Sequence, residues 1–115
     1  MTTYKRGDIV LVKFVVADEK GVKQRPGLLV SSDRYHRSRR EAILAAITSQ
    51  MGRSLVGDHR LTEWKAPGLP LPSTVTGIIR TIKQDMIIRK IGTLPSAELA
   101  SVEFQLRTSL ALTSP

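Results

Sequence analysis

No cysteine occurs among the 115 residues. A disulfide framework, a thiol nucleophile and a thiolate zinc site are therefore excluded. Aromatic residues amount to only 4%, so the core must rest on Ile, Leu and Val, and a surface that stacks many bases is not available. Long apolar runs are missing as well. The longest, Ile9 to Val16, is broken by Lys13 and is far too short to span a bilayer. The opening MTTYKRGDIVLVKF has no apolar signal-peptide region, so a cytoplasmic protein with no membrane association is expected. Acidic residues are few: 10 Asp and Glu against 18 Lys and Arg give a net charge of +8. Such an excess on a small chain points to an anionic partner, nucleic acid first, although a merely soluble basic protein also fits the charge alone.

What is present reads as one globular domain over residues 1–115, with 41% hydrophobic and 24% charged residues. Ile9 to Val16 is rich in β-branched residues and predicts a first strand buried on much of both faces. Gly21 marks the tip of a polar connection, and Leu28 to Ser31 predict a second strand, with Arg25 at its mouth and Pro26 opening it. DRYHRSRRE carries Arg34, Arg37, Arg39 and Arg40 and predicts a short helical turn or loop. Ala42 to Gln50 predict a third strand that opens into Thr48 and Ser49. Residues 51–73 are loop-rich, with a short strand expected near Arg60 to Trp64. STVTGIIRTI predicts a strand with a bulge or bend at Gly77, and MIIRKIGTL one more. From Ser96 the period changes: Leu99, Val102, Leu106 and Leu110 give a C-terminal amphipathic helix, with Glu103 and Arg107 as an i,i+4 pair. The pattern predicts a bent sheet or small barrel closed by that helix.

Candidate chemistry is sparse. His36 and His59 invite an acid–base reading for ribose-directed hydrolysis, but nothing in their spacing brings them together, and solvated surface positions account for them more simply. Asp18 and Glu19 are adjacent on a turn and diverge, and no His, Asp or Glu spacing suggests a metal. There remains arginine with hydroxyl. If the second and third strands are neighbours, Arg25, Thr48 and Ser49 meet at one rim, where a guanidinium holds a phosphate bidentately. A surface ion pair for Arg25 and a strand-end cap for Thr48 are the plainer alternatives.

Taken in order, RGDIVLVKF, KQRPGLLVSSD, AILAAITSQ, APGLPLPSTV and IIRKIGTLPSAEL, followed by a terminal helix, resemble the MazF/PemK/Kid toxin family over roughly Tyr4 to Leu110. The resemblance implies a mainly β, SH3-like bent barrel of the CcdB/MazF kind with a C-terminal α-helix, acting as a homodimer. It implies the toxin of a type II toxin–antitoxin system: an mRNA interferase that inhibits growth by cutting single-stranded RNA. Cleavage in that family uses no metal or cofactor and proceeds by 2′-hydroxyl attack on the adjacent phosphate. The implied partner is a cognate antitoxin with an acidic flexible tail, with DNA contacted only through the toxin–antitoxin complex. Carried over by position, the catalytic pair falls on Arg25 and Thr48, and Lys23, Gln24, Ser49, Gln50 and Arg80 become candidate substrate contacts. One position departs from the pattern: Thr76 stands where many relatives carry arginine, with Arg80 nearby to supply the charge. That departure motivates a second reading, a non-catalytic toxin of the same fold gripping a protein such as DNA gyrase. The arginine cluster at 34–40 motivates a third, a basic nucleic-acid-binding module, although a solvated basic turn explains it equally well.

Overall fold

A computed structural model describes residues 3–15, 22–50 and 52–112. Strand β1 (Asp8–Val15) buries Ile9 and Val10 alike, although successive residues of a strand point to opposite faces. Both faces of the sheet are therefore covered, which is why its strands read as unbroken apolar runs. On one face Ile9, Leu28, Ala45, Ile47 and Val75 gather with Leu61, Leu69 and Leu94. On the other, Val10, Val12, Leu29, Leu44, Ile82 and Ile87 pack with Tyr4, Phe14 and Met86.

The remaining elements are β2 (Val22–Leu29), α1 (Asp33–Ser38), β3 (Glu41–Thr48), β4 (His59–Arg60), β5 (Thr74–Lys83), β6 (Ile87–Thr93) and α2 (Ser96–Leu110). The six strands form one antiparallel sheet in the order β4-β5-β3-β2-β1-β6, bent but not closed. Val102 of α2 is buried in the first core, with Leu99 and Leu106 packed against it.

Several boundaries differ from expectation for physical reasons. β2 starts six residues before Leu28 and stops at Leu29, so Arg25 and Pro26 lie inside the strand rather than at its mouth. Val30 donates its N–H to Ile43 of β3, and alternation directs the nitrogens of Leu28 and Pro26 to that same side. The β2–β3 ladder covers only Gly27 to Leu29. Pro26, which has no N–H to give, thus stands just beyond the end of that ladder while still pairing with Leu11 of β1.

β3 ends at Thr48, which leaves Ser49 and Gln50 outside the ladder. The short strand expected at Arg60 to Trp64 is the two-residue β4, His59–Arg60. Leu110, expected on the buried face of α2, is exposed, because the helix ends there in a left-handed cap at Ala111. Glu103 reaches Arg6 at 3.5 Å across the fold rather than Arg107 along the helix. Val16, Asp18, Glu19, Gly21 and Met51 lie outside the described residues.

Two glycines fix the surroundings of the open strand ends. β5 carries two extra residues between its pairings Val75–Ile47 and Ile79–Ala45, and Gly77 sits in this bulge. A Cβ there would lie 3.0 Å from the Val56 carbonyl oxygen. A Cβ on Gly92 of β6 would overlap the Pro67 carbonyl oxygen, so only glycine lets the 65–71 loop lie down on that strand.

Candidate active site

Continuing the β2–β3 register two residues past Gly27–Ala46 sets Arg25 opposite Thr48, on the same face of the sheet. The ladder has stopped by then. The gap between the separating strands is a groove of about 720 Å³. Its sides are Gln24, Arg25 and Pro26 from β2, and Thr48, Ser49 and Gln50 from the end of β3. Arg80 of β5 projects into it as well, and the Leu69–Leu71 segment forms the far wall. Ser73, buried, holds that wall by donating to the Leu71 carbonyl at 2.8 Å.

Six of the seven expected site residues therefore converge. The seventh, Lys23, pairs with Phe14 across β1–β2 but does not line the groove.

The electrostatics follow from what is missing. Among the described residues, the lining contains two guanidinium groups and no carboxylate. Arg25 touches only the carbonyl of its own neighbour Gln24, at 3.2 Å, and Arg80 rests over the Phe14 ring at 5.2 Å from its centroid. Neither cation is neutralised by an anion of the described residues, so the groove holds a concentrated positive field facing solvent. The Thr48 hydroxyl oxygen accepts from Gln50 N–H at 3.1 Å and keeps its own O–H to donate. Two forked donors and a hydroxyl across a gap of apolar walls suit a phosphodiester with its attached groups.

Thr76 takes no part in the groove. Its hydroxyl donates to the Ala46 carbonyl at 2.7 Å and accepts from Ile78 N–H at 3.2 Å, tying the β5 bulge to β3. Arg80, four residues along the same strand, does line the groove.

The histidines are likewise structural, and neither is a solvated surface residue. His36 is buried and lies 2.5 Å from Ser31 Oγ through Nε2 and 3.2 Å from the Tyr4 carbonyl through Nδ1. A carbonyl only accepts, so Nδ1 carries a proton toward Tyr4, and in the neutral ring Nε2 is the acceptor that faces the serine. His59 meets Glu98 of α2 at 2.5 Å. The other oxygen of Glu98 accepts from the Thr62 hydroxyl, from Thr62 N–H at 2.9 Å and from Glu63 N–H at 3.2 Å. Burial pushes the Glu98 carboxyl up, but the bonds from Thr62, His59 and Glu63 outweigh it and hold the group below the usual carboxylate range. No sequence signal marks this clasp, because its halves stand 39 and 36 residues apart.

Of the arginine cluster, Arg39 is bound to Glu41 at 2.9 Å and lies over Tyr35. Among the described residues no helix is long and apolar enough to cross a membrane, and no cluster of three His, Asp or Glu side chains is placed to hold a metal.

Residues 5–110 match the family of PemK-like, MazF-like toxins of type II toxin-antitoxin systems. The chain belongs to that family. It is 33% identical over 111 residues to endoribonuclease EndoA of Bacillus subtilis (strain 168), across 94% of this chain and 95% of that one. Solved structures share the toxin's fold at lower identity. The MazE-MazF complex (Form-II) of Deinococcus radiodurans superposes with a TM-score of 0.81 at 17% identity, covering 98% of this chain and 100% of the other. A mycobacterial endoribonuclease in complex with its cognate antitoxin gives 0.78 at 19% identity, over 97% and 99%. Mycobacterium tuberculosis toxin MazF-mt6 gives 0.75 at 22%, over 93% and 99%. The mainly β sheet with its C-terminal helix is thus the toxin fold of this family.

Proposed function

We propose that this toxin is an endoribonuclease that cuts single-stranded RNA in the groove between β2 and β3, with Arg25 and Thr48 at the scissile phosphate. The observation that carries the reading is the groove itself, in which Arg25, Thr48 and Arg80 meet with no carboxylate among them. The kinship to a protein named endoribonuclease supports the same activity.

In this reaction the ribose 2′-hydroxyl attacks the adjacent phosphorus, the bond to the 5′-oxygen breaks, and the products carry a 2′,3′-cyclic phosphate and a 5′-hydroxyl. Negative charge accumulates on the non-bridging oxygens as the phosphorus becomes five-coordinate. Arg25 meets that charge with parallel N–H donors, and the Thr48 O–H donates to the phosphate or ribose. Arg80 and the polar groups of Gln24, Ser49 and Gln50 hold the flanking strand. A guanidinium keeps its protons in water and is a poor base, but it can pass one to the far more basic departing alkoxide. With no imidazole or carboxylate among the described residues that line the groove, the 2′-hydroxyl proton goes to solvent.

The toxin works on messenger RNA in the cytoplasm as a homodimer, with residues 1–115 acting as one domain. A cognate antitoxin with an acidic flexible tail neutralises it by occupying the same cationic groove. The gyrase-type binding reading loses its motivation, since Thr76 is engaged in the bulge and Arg80 lines the groove. The test is incubation with a mixed-sequence RNA in EDTA, with the new ends mapped. Discrete cuts ending in cyclic phosphate, each abolished by a 2′-deoxy nucleotide at the cut, are expected. Intact RNA, or cuts indifferent to the 2′-deoxy substitution, would refute the mechanism.

A further inference from the structure

A second depression, of about 350 Å³, adjoins the groove and shares Pro26, Leu69 and Pro70 with it. Its floor is apolar, with Leu11 of β1 and Ile91 of β6. Arg89 stands at its rim, opposite Leu11 in the β1–β6 pairing.

The two depressions lie on either side of the Leu69–Pro70 segment, which is set in place by the loop's close approach to Gly92 and by the Leu69 N–H bond to the Trp64 carbonyl at 3.1 Å. The second depression also lacks a carboxylate among the described residues. The nearest acidic group across β1–β6, Asp8, is already matched by Lys90 at 3.3 Å and by the Lys5 N–H at 2.9 Å. Arg89 is exposed and is held by no ion pair among the described residues.

We propose that this depression is a second nucleotide site for the RNA strand, which leaves the scissile position, crosses the proline ridge and places one flanking base on the apolar floor with its phosphate at Arg89. The inference rests on the groove being the RNA site. Continuity supports the occupant: the two depressions share Pro26, Leu69 and Pro70, and because Arg25 and Pro26 point to opposite faces of β2, a chain held at Arg25 turns through the gap beyond Gly27 to reach the second depression. Charge and shape agree, since an apolar shelf under a single guanidinium matches a base joined to a phosphate and leaves no buried anion unpaired. The proline rings and Leu11 give flat apolar contact without reading base identity. Arg89 is therefore a positioning residue. It holds the strand and touches no reacting atom.

The test uses the intact protein, an RNA cut by the wild type, and the same RNA shortened one nucleotide at a time from each end. Arg89→Gln is compared with wild type on every length. For the long RNA the substitution is expected to raise KM about three- to tenfold, with kcat unchanged. Shortening past one particular end nucleotide is expected to raise the wild-type KM to the level of the variant and to erase the difference between them. Binding to a 2′-deoxy-blocked RNA should lose about 0.7 from its log–log salt slope in the variant, the share of one phosphate contact on a single strand. An Arg89→Gln protein whose KM and salt slope equal the wild-type values at every length would overturn the second site while leaving the groove assignment standing. Weakened binding of an acidic peptide with RNA binding unchanged would assign the shelf to a protein partner and overturn it too. A folded wild type that neither binds nor cuts any of these RNAs would overturn both readings together.

Discussion

The two ends of the β2–β3 pair are built in opposite ways. At the end capped by α1, the buried polar side chains Ser31 and His36 are both matched. Ser31 accepts from Ile43 N–H at 2.9 Å and bonds His36, which in turn bonds the Tyr4 carbonyl. Gln84 spreads its amide over the carbonyls of His36, Arg39 and Glu41, each at 3.0 Å. At the other end, roughly 23 Å away along β3, the ladder stops at Gly27 and the polar groups face an open groove with donors to spare. The first end uses its polar groups to hold the fold together, because a buried donor without a partner costs about 1–3 kcal/mol. The second leaves Arg25 and Arg80 without an anionic partner among the described residues, which is tolerable because both remain in contact with water.

Substitutions at the two ends should therefore separate activity from stability. The largest effect is expected for Arg25→Ala, a fall in cleavage rate on the order of 10²–10³-fold from loss of a charged donor at the phosphate. Its unfolding free energy should stay within about 0.5 kcal/mol of wild type by urea titration, since Arg25 is exposed. Thr48→Val should cost about 10- to 100-fold in single-turnover rate, the value of one hydrogen bond to a charged group. At the opposite end, His36→Leu removes two partners from a buried network and should lower stability by about 2 kcal/mol while leaving the rate per folded molecule unchanged.

The smallest effect concerns the Glu98 clasp, which belongs to neither end. Its folded pKa is depressed, so its contribution is fully present above the unfolded carboxylate range and is lost as pH falls through the folded value. The melting temperature should drop on acidification from about pH 5 downward, and Glu98→Gln should flatten part of that drop. An unchanged slope in the variant would remove Glu98 from the account.

Much of this layout was legible from residue order. The apolar runs of β1 and β3, the bulge at Gly77 and the three-four spacing of α2 depend on neighbours a few residues away, and local pattern reports them. The groove residues were legible as family motifs, and their convergence follows from the adjacency of β2 and β3. Pro26 was misread as a strand start because its missing N–H matters only where a partner strand needs it, and where β3 stops pairing is a property of the sheet. The roles of His36 and Glu98 were invisible for a similar reason. Their partners are Tyr4, 32 residues away, and His59, 39 residues away, and no spacing rule links such pairs.

One measurement bears most directly on the division of labour between the two ends. Arg25→Ala and His36→Leu are prepared side by side, and cleavage of single-stranded RNA and urea stability are determined for each. The account predicts a crossed result: Arg25→Ala nearly inactive and as stable as wild type, His36→Leu active per folded molecule and clearly less stable. Full activity in a folded Arg25→Ala protein, or loss of turnover in folded His36→Leu, would contradict it.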